Sequence, residues 1–109
     1  MTYQEVDRLM ESLELPYAYY EFQENTGVAP PFLCFYFPDS DDFKADNTIY
    51  QQIRPLIIEL YTDDKDFALE GRIETALTAA GLVFTRSEIY IGSERMYQIT
   101  YEMEVIINA

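Results

Sequence analysis

Residues 30 to 65, PPFLCFYFPDSDDFKADNTIYQQIRPLIIELYTDDK, hold two strongly apolar segments, Phe32–Phe37 and Leu56–Tyr61. Between them lies an acid-rich loop with Asp39, Asp41, Asp42 and Asp46. Aromatic and β-branched residues fit a pleated, half-buried surface, so both segments read as strands. Pro38 and the Asp/Ser cluster after it cannot continue a strand, and the chain must turn there. The stretch therefore predicts an antiparallel pair at the heart of one sheet. Phe32–Phe37 has no polar side apart from Cys34 and Tyr36, which predicts a central strand covered on both faces. Ile49–Tyr61 reads as one long strand whose apolar positions change parity, from Ile49 and Ile53 to Leu56, Ile58 and Leu60. A bulge at Arg54-Pro55 would explain both the switch and the proline, which cannot donate to a ladder. Pro55 also requires either an edge position or a partner strand that stops before it.

Working outward, Thr2 to Glu14 reads as a helix. Thr2 and Glu5 form a capping box, and Val6, Leu9, Met10 and Leu13 make one apolar stripe. Pro16 ends it. Tyr17–Phe22 reads as a short strand, Gln23–Ala29 as a loop, and Pro30-Pro31 as an extended approach to the next strand. On the other side, Thr62–Asp66 is an acidic turn with Asp66 as N-cap of a second helix, Phe67–Ala80. Leu69, Ile73, Ala76, Leu77 and Ala80 form its stripe, and Asp66 and Glu70 suit the positive end of the helix dipole. Gly81 suits the left-handed position past the helix, with Leu82 packing back.

Val83–Ile91 and Met96–Ile107 form a hairpin around Gly92-Ser93-Glu94-Arg95. The last strand alternates cleanly. Tyr97, Ile99, Tyr101, Met103, Val105 and Ile107 share one face; Gln98, Thr100, Glu102 and Glu104 share the other. The order α-β-β-β-α-β-β predicts an α+β fold: one mixed five-stranded sheet with two helices over its core face. The 109 residues form a single domain, 1–109. Its expected core is Val6, Leu9, Met10, Leu13, Leu33, Phe35, Leu56, Ile58, Leu60, Leu69, Ile73, Leu77, Tyr101, Met103 and Val105.

The net charge of −13, from 20 acids and 7 bases, leaves no basic patch to neutralise phosphates. Nucleic-acid binding and attachment to an anionic membrane are both disfavoured. No apolar run reaches the ~20 residues of a membrane span, and the N-terminal residues lack signal-peptide character, so a cytosol-like compartment is expected. Ten Tyr and seven Phe point to a core of large rings and to partly wet surfaces. Cys34 is the one cysteine and there is no His, so a cysteine nucleophile has no base to activate it. A buried, inert thiol is the better reading.

Asp39-x-Asp41 opens like a calcium loop, but Phe43 stands at a ligand position, Lys44 replaces the glycine, and no bidentate Glu follows. A solvated loop, or one that docks on a partner, fits better. With 20 acids, any carboxylate pair is uninformative as an acid–base couple. No phosphate-cradling glycine loop and no cofactor motif is present, so the reading is not an enzyme, with no cofactor and no metal.

The run Tyr36-Phe37-Pro38-Asp39-Ser40-Asp41-Asp42-Phe43-Lys44-Ala45-Asp46-Asn47, with Tyr50 and then Ile58-Glu59-Leu60-Tyr61-Thr62-Asp63, resembles the small tail-terminator (tail-completion) proteins of long-tailed phages and prophages of Gram-positive bacteria. So does Ser93-Glu94-Arg95-Met96-Tyr97-Gln98-Ile99-Thr100-Tyr101-Glu102-Met103-Glu104-Val105. The similarity spans nearly the whole chain, including the opening helix and the Leu15-Pro16 break, without a single diagnostic motif. The resemblance implies a mixed α/β virion protein, assembled in the host cytoplasm, that forms a ring, typically hexameric, on the head-proximal end of the tail tube. The ring stops tube growth and joins the tail to the capsid connector, its partners being copies of itself, the tail-tube protein and the head-completion protein. It catalyses nothing and needs no cofactor. On that reading, Asp39, Asp41, Asp42 and Asp46 are assigned to docking, and Glu102 and Glu104 to a channel wall that DNA passes without specific binding. The rival is a free-standing acidic inhibitor, a DNA mimic that binds a basic host protein. It predicts a monomer with its acids gathered on one face.

Overall fold

The structure is a computed structural model and describes residues 1–22, 27–38 and 51–108. Among these, the elements are α1 (Tyr3–Ser12), β1 (Tyr17–Tyr19), β2 (Phe32–Tyr36), β3 (Gln51–Thr62), α2 (Phe67–Ala79), β4 (Phe84–Ile91) and β5 (Met96–Asn108). The strands form one five-stranded sheet in the order β1-β2-β3-β5-β4. β1 runs parallel to β2, and every other pairing is antiparallel. The fold is therefore α+β with a mixed sheet, in the element order that the pattern predicts.

The predicted antiparallel pair is β2 against β3, from Phe32 opposite Tyr61 to Tyr36 opposite Ile57. β3 is the middle strand, and its other side pairs with β5 without interruption, from Gln51 opposite Asn108 to Thr62 opposite Tyr97. That unbroken register corrects the expected bulge at Arg54-Pro55. Ile53 keeps its parity and points to the face away from the helices, where it is 57% exposed. Arg54 takes the inward position that an apolar residue would otherwise hold. Pro55 is tolerated on its β2 side because β2 pairing stops at Ile57, two residues short of it. The two parities of isoleucine thus report two used faces of a regular strand.

Both helices cover one face of the sheet. Val6, Met10 and Leu13 of the α1 region and Ile73 and Leu77 of α2 pack on Leu33, Phe35, Leu56, Ile58, Leu60, Ile99, Tyr101, Met103, Val105 and Ile107. Leu9 and Leu69 are half-buried against this core, while Ala80, expected in the α2 stripe, is exposed. The ends of the helices follow their caps. The Thr2 hydroxyl accepts from the Glu5 N–H at 3.1 Å, and the Thr2 N–H donates to the Glu5 carboxylate at 2.7 Å. Asp66 accepts from the Leu69 N–H at 3.0 Å. After α2, Gly81 has φ +82°, its N–H donates to the Thr78 carbonyl, and the Leu82 N–H donates to that of Leu77. This double closure is why a glycine follows Ala80. α1 stops at Ser12, ahead of Pro16, because Glu14 turns left-handed at φ +62°. β1 is shorter than expected because Tyr20, at φ +69°, leaves the extended region.

Candidate functional site

The helices leave the other sheet face open. Register places Cys34 and Tyr36 of β2, Ile53, Ile57, Glu59 and Tyr61 of β3, Thr100, Glu102, Glu104 and Ile106 of β5, and Thr85 and Ile89 of β4 on it. Glu102 stands between Ile57 and Thr85, and Glu104 opposite Pro55. Both carboxylates are exposed, two residues apart on one rigid strand, as the alternation of the last strand requires. They line a shallow hollow of about 580 Å³ with Pro55, Ile57, Val83 and Thr85. β4 ends its pairing at Phe84, so the hollow opens beside Glu104 where the edge strand stops. No lysine or arginine of the described strands points to this face. Its surface is acidic and apolar together, with Ile53, Ile89 and Ile106 exposed.

Toward β1 the open face is covered by rings rather than by a helix. Tyr20 stacks on Tyr36 with centroids 4.6 Å apart, Phe32 stacks on Tyr61 at 5.0 Å, and Phe22 meets Phe32 edge-on at 5.3 Å. Glu59 sits among them and accepts from both phenols, Tyr36 at 3.1 Å and Tyr61 at 2.7 Å. Burial and the Glu59 charge push the Tyr36 phenol up to about 12, and Tyr61 moves the same way. Cys34 lies buried beneath this aromatic cover. Burial first, then Glu59 and Glu21, pushes its thiol up to about 11, so almost no thiolate exists at neutral pH.

A second cluster was not foreseen. Glu70 is 3% exposed, its carboxylate held by Lys65 at 2.5 Å and by Arg86 at 2.5 Å. Glu88 takes both cations as well, Lys65 at 2.7 Å and Arg86 at 2.9 Å. Glu74 lies 3.4 Å from Arg86 and accepts from the buried Tyr101 hydroxyl at 2.9 Å. The cluster ties α2 to the edge strand β4 and to the turn before α2. The hydrogen bonds from Lys65 and Arg86 hold the Glu88 carboxyl below its usual range. Burial opposes the charge on Lys65, but its bonds to Glu70 and Glu88 outweigh that and raise its pKa. The signal in the sequence was a carboxylate on the apolar stripe, since Glu70 falls three residues before Ile73 and seven before Leu77.

The loop carboxylates Asp39, Asp41, Asp42 and Asp46 lie outside the described residues. Among the described residues no group of three or more His, Cys, Asp or Glu side chains converges to hold a metal ion, and no helix is long and apolar enough to cross a membrane. Compared with known proteins, the chain matches no family model and no curated protein sequence.

Proposed function

We propose that the chain is a tail-terminator (tail-completion) protein of a long-tailed phage or prophage, a structural subunit that caps the tail tube as a ring and joins it to the head connector. The sequence pattern across Tyr36–Asp63 and Ser93–Val105 carries this reading. The α+β sheet is compatible with the mixed α/β domain that such a subunit requires. The open face adds physical support. Glu59, Glu102 and Glu104 give it one sign of charge, and the strand cations Arg54 and Arg86 lie on the other face, so passing DNA would find nothing on these strands to hold a phosphate. In the assembled tail, this face is assigned to the channel wall and the loop with Asp39, Asp41, Asp42 and Asp46 to docking on the tube or connector. No step of this function requires catalysis or a cofactor.

The rival, an acidic inhibitor that mimics DNA, needs its acids on one face. Among the described residues they are spread over α1 (Glu5, Asp7, Glu11), the turn before α2 (Asp63, Asp64), the buried Glu70 cluster and the open face. That spread favours the terminator. Charge reversal in the phage tests both assignments. Asp41→Lys with Asp42→Lys should leave the fold intact and block tail capping or head joining, counted as joined particles by electron microscopy. Glu102→Lys with Glu104→Lys should permit assembly and slow DNA release in an ejection assay. Normal joining in the first variant removes the docking role, and unimpaired ejection in the second removes the channel wall.

A further inference from the structure

At the end of the sheet where β3 begins, four rings and one cation form a pocket of about 360 Å³. Its walls are Tyr3, Tyr19, Phe35 and Phe37, and Arg54 closes it. Tyr3 meets Phe37 edge-on at 5.2 Å, and Tyr19 meets Phe35 the same way at 5.2 Å. The Tyr19 hydroxyl accepts from the Phe37 N–H at 3.2 Å, which fixes that wall. The Arg54 guanidinium lies 6.0 Å from the Phe37 ring centre and donates through Nη1 to the Tyr3 hydroxyl at 3.2 Å. Among the described residues it has no carboxylate partner, and its Nε is buried without an acceptor. Tyr3 and Tyr19 nevertheless stand about half exposed, at 45% and 50%. An apolar pocket with rigid rings and an arginine is the composition of a binding anchor.

At the opposite end of β3 stands the complementary shape. Phe67, the first residue of α2, is 75% exposed and carries only the Lys65 ammonium over one ring face, at 4.7 Å. Asp63 and Asp64 are exposed four and three residues before it, and Asp66 is exposed beside it. The corner therefore presents one ring flanked by carboxylates. The eight residue steps from Arg54 to Thr62, at ~3.3 Å each, hold pocket and corner roughly 26 Å apart.

We infer that the pocket receives the Asp63–Phe67 corner of a second copy of this chain, with Phe67 between the rings and an Asp63 or Asp64 carboxylate on Arg54. Charge complementarity selects the occupant. The chain carries 20 acids and 7 bases, and among the described residues Arg54, like Arg8 and Arg95, is in no ion pair, while Lys65, Arg72 and Arg86 are. Pocket and corner are different surfaces at opposite ends, so the contact is head-to-tail. Such a contact closes into a ring when the rotation per subunit permits. The inference rests on the ring reading above and names the contact that builds the ring.

Because the contact is heterologous, broken halves complement each other. Arg54→Glu spoils the pocket and leaves the corner; Phe67→Asp spoils the corner and leaves the pocket. By sedimentation velocity at millimolar chain concentration in high salt, the unaltered chain should form rings, and each variant alone should stay monomeric. An equal mixture of the two should form dimers and nothing larger, since only one sound contact exists. Thermal unfolding confirms that each variant folds, and Tyr19→Ala serves as a second pocket variant should Arg54→Glu not. Rings from either folded variant, or a mixture that stays monomeric, overturn the contact while leaving the ring reading in place. An unaltered chain that stays monomeric under all these conditions and with tail-tube protein added overturns both. Loss of tube binding in the pocket variant alone, without any effect on self-association, assigns the pocket to the tube and overturns the contact between copies.

Discussion

Glu70 shows how one charged side chain can be structural. Its carboxylate is buried, and both of its cationic partners keep some contact with solvent. Removing one member of a buried pair strands the others, at a cost of about 3–5 kcal/mol when all are dry. Partial solvation puts Glu70→Ala at the low end, about 3 kcal/mol in chemical denaturation. Glu88 tests the cluster by pH. Its folded pKa is depressed, so its contribution is present above the usual Glu range and lost as pH falls through the folded value. The stability gap between the unaltered protein and Glu88→Gln should be constant near neutrality and close progressively below about pH 4, where an ordinary Glu titrates. A gap independent of pH would contradict this pairing. Cys34 makes a third residue-level expectation. A buried thiol pushed up to about 11 should resist thiol reagents in the native protein at neutral pH and react at once on unfolding. Fast native labelling would show that the aromatic cover opens.

At the level of elements, caps and ladders account for what was legible. Thr2, Asp66 and Gly81 each sit where a side chain or a missing Cβ satisfies the end of a helix, and such positions announce themselves in the sequence. Thr2→Ala should lower stability by about 1 kcal/mol, as loss of a cap does, in thermal unfolding. The core is equally readable. Ile58→Ala and Ile73→Ala should each cost ~2–5 kcal/mol, because both side chains are fully enclosed. Three features escape the pattern, because a pattern equates polarity with exposure and apolarity with burial. Arg54 faces inward at the rim of the core, where its guanidinium lies over the Phe37 ring and donates to the Tyr3 hydroxyl. Glu70 lies on the buried stripe because two cations reach it from other elements, and no local spacing encodes that meeting. Ile53, whose parity the pattern reconciles with the core by a bulge, stands on the open face instead. Of the candidate site, Glu102 and Glu104 were legible through strict alternation. The rings over Cys34 were not, since Tyr20 and Phe22 arrive from beyond β1.

Across the whole molecule the charge governs association. In the proposed ring, six copies at −13 each would carry a formal charge of −78, so the subunits would repel one another at low ionic strength. Added salt shortens the range of that repulsion to ~8 Å near physiological strength. Self-association should therefore rise with salt, the reverse of a complex held mainly by ion pairs, and light scattering across a salt series would show the direction. Assembly that weakens steadily with salt would mean that attraction between opposite charges dominates. The continuous β3–β5 ladder has a mechanical meaning as well. If neighbours grip one subunit at the two ends of β3, tension around the ring runs along that strand. The cross-strand hydrogen bonds lie perpendicular to it. They would be loaded sideways and all together, from Gln51 to Thr62, instead of being peeled one after another. A subunit pulled in that direction is far stiffer than one pulled open across its sheet, which would suit the proposed ring, whose bore has to keep its width.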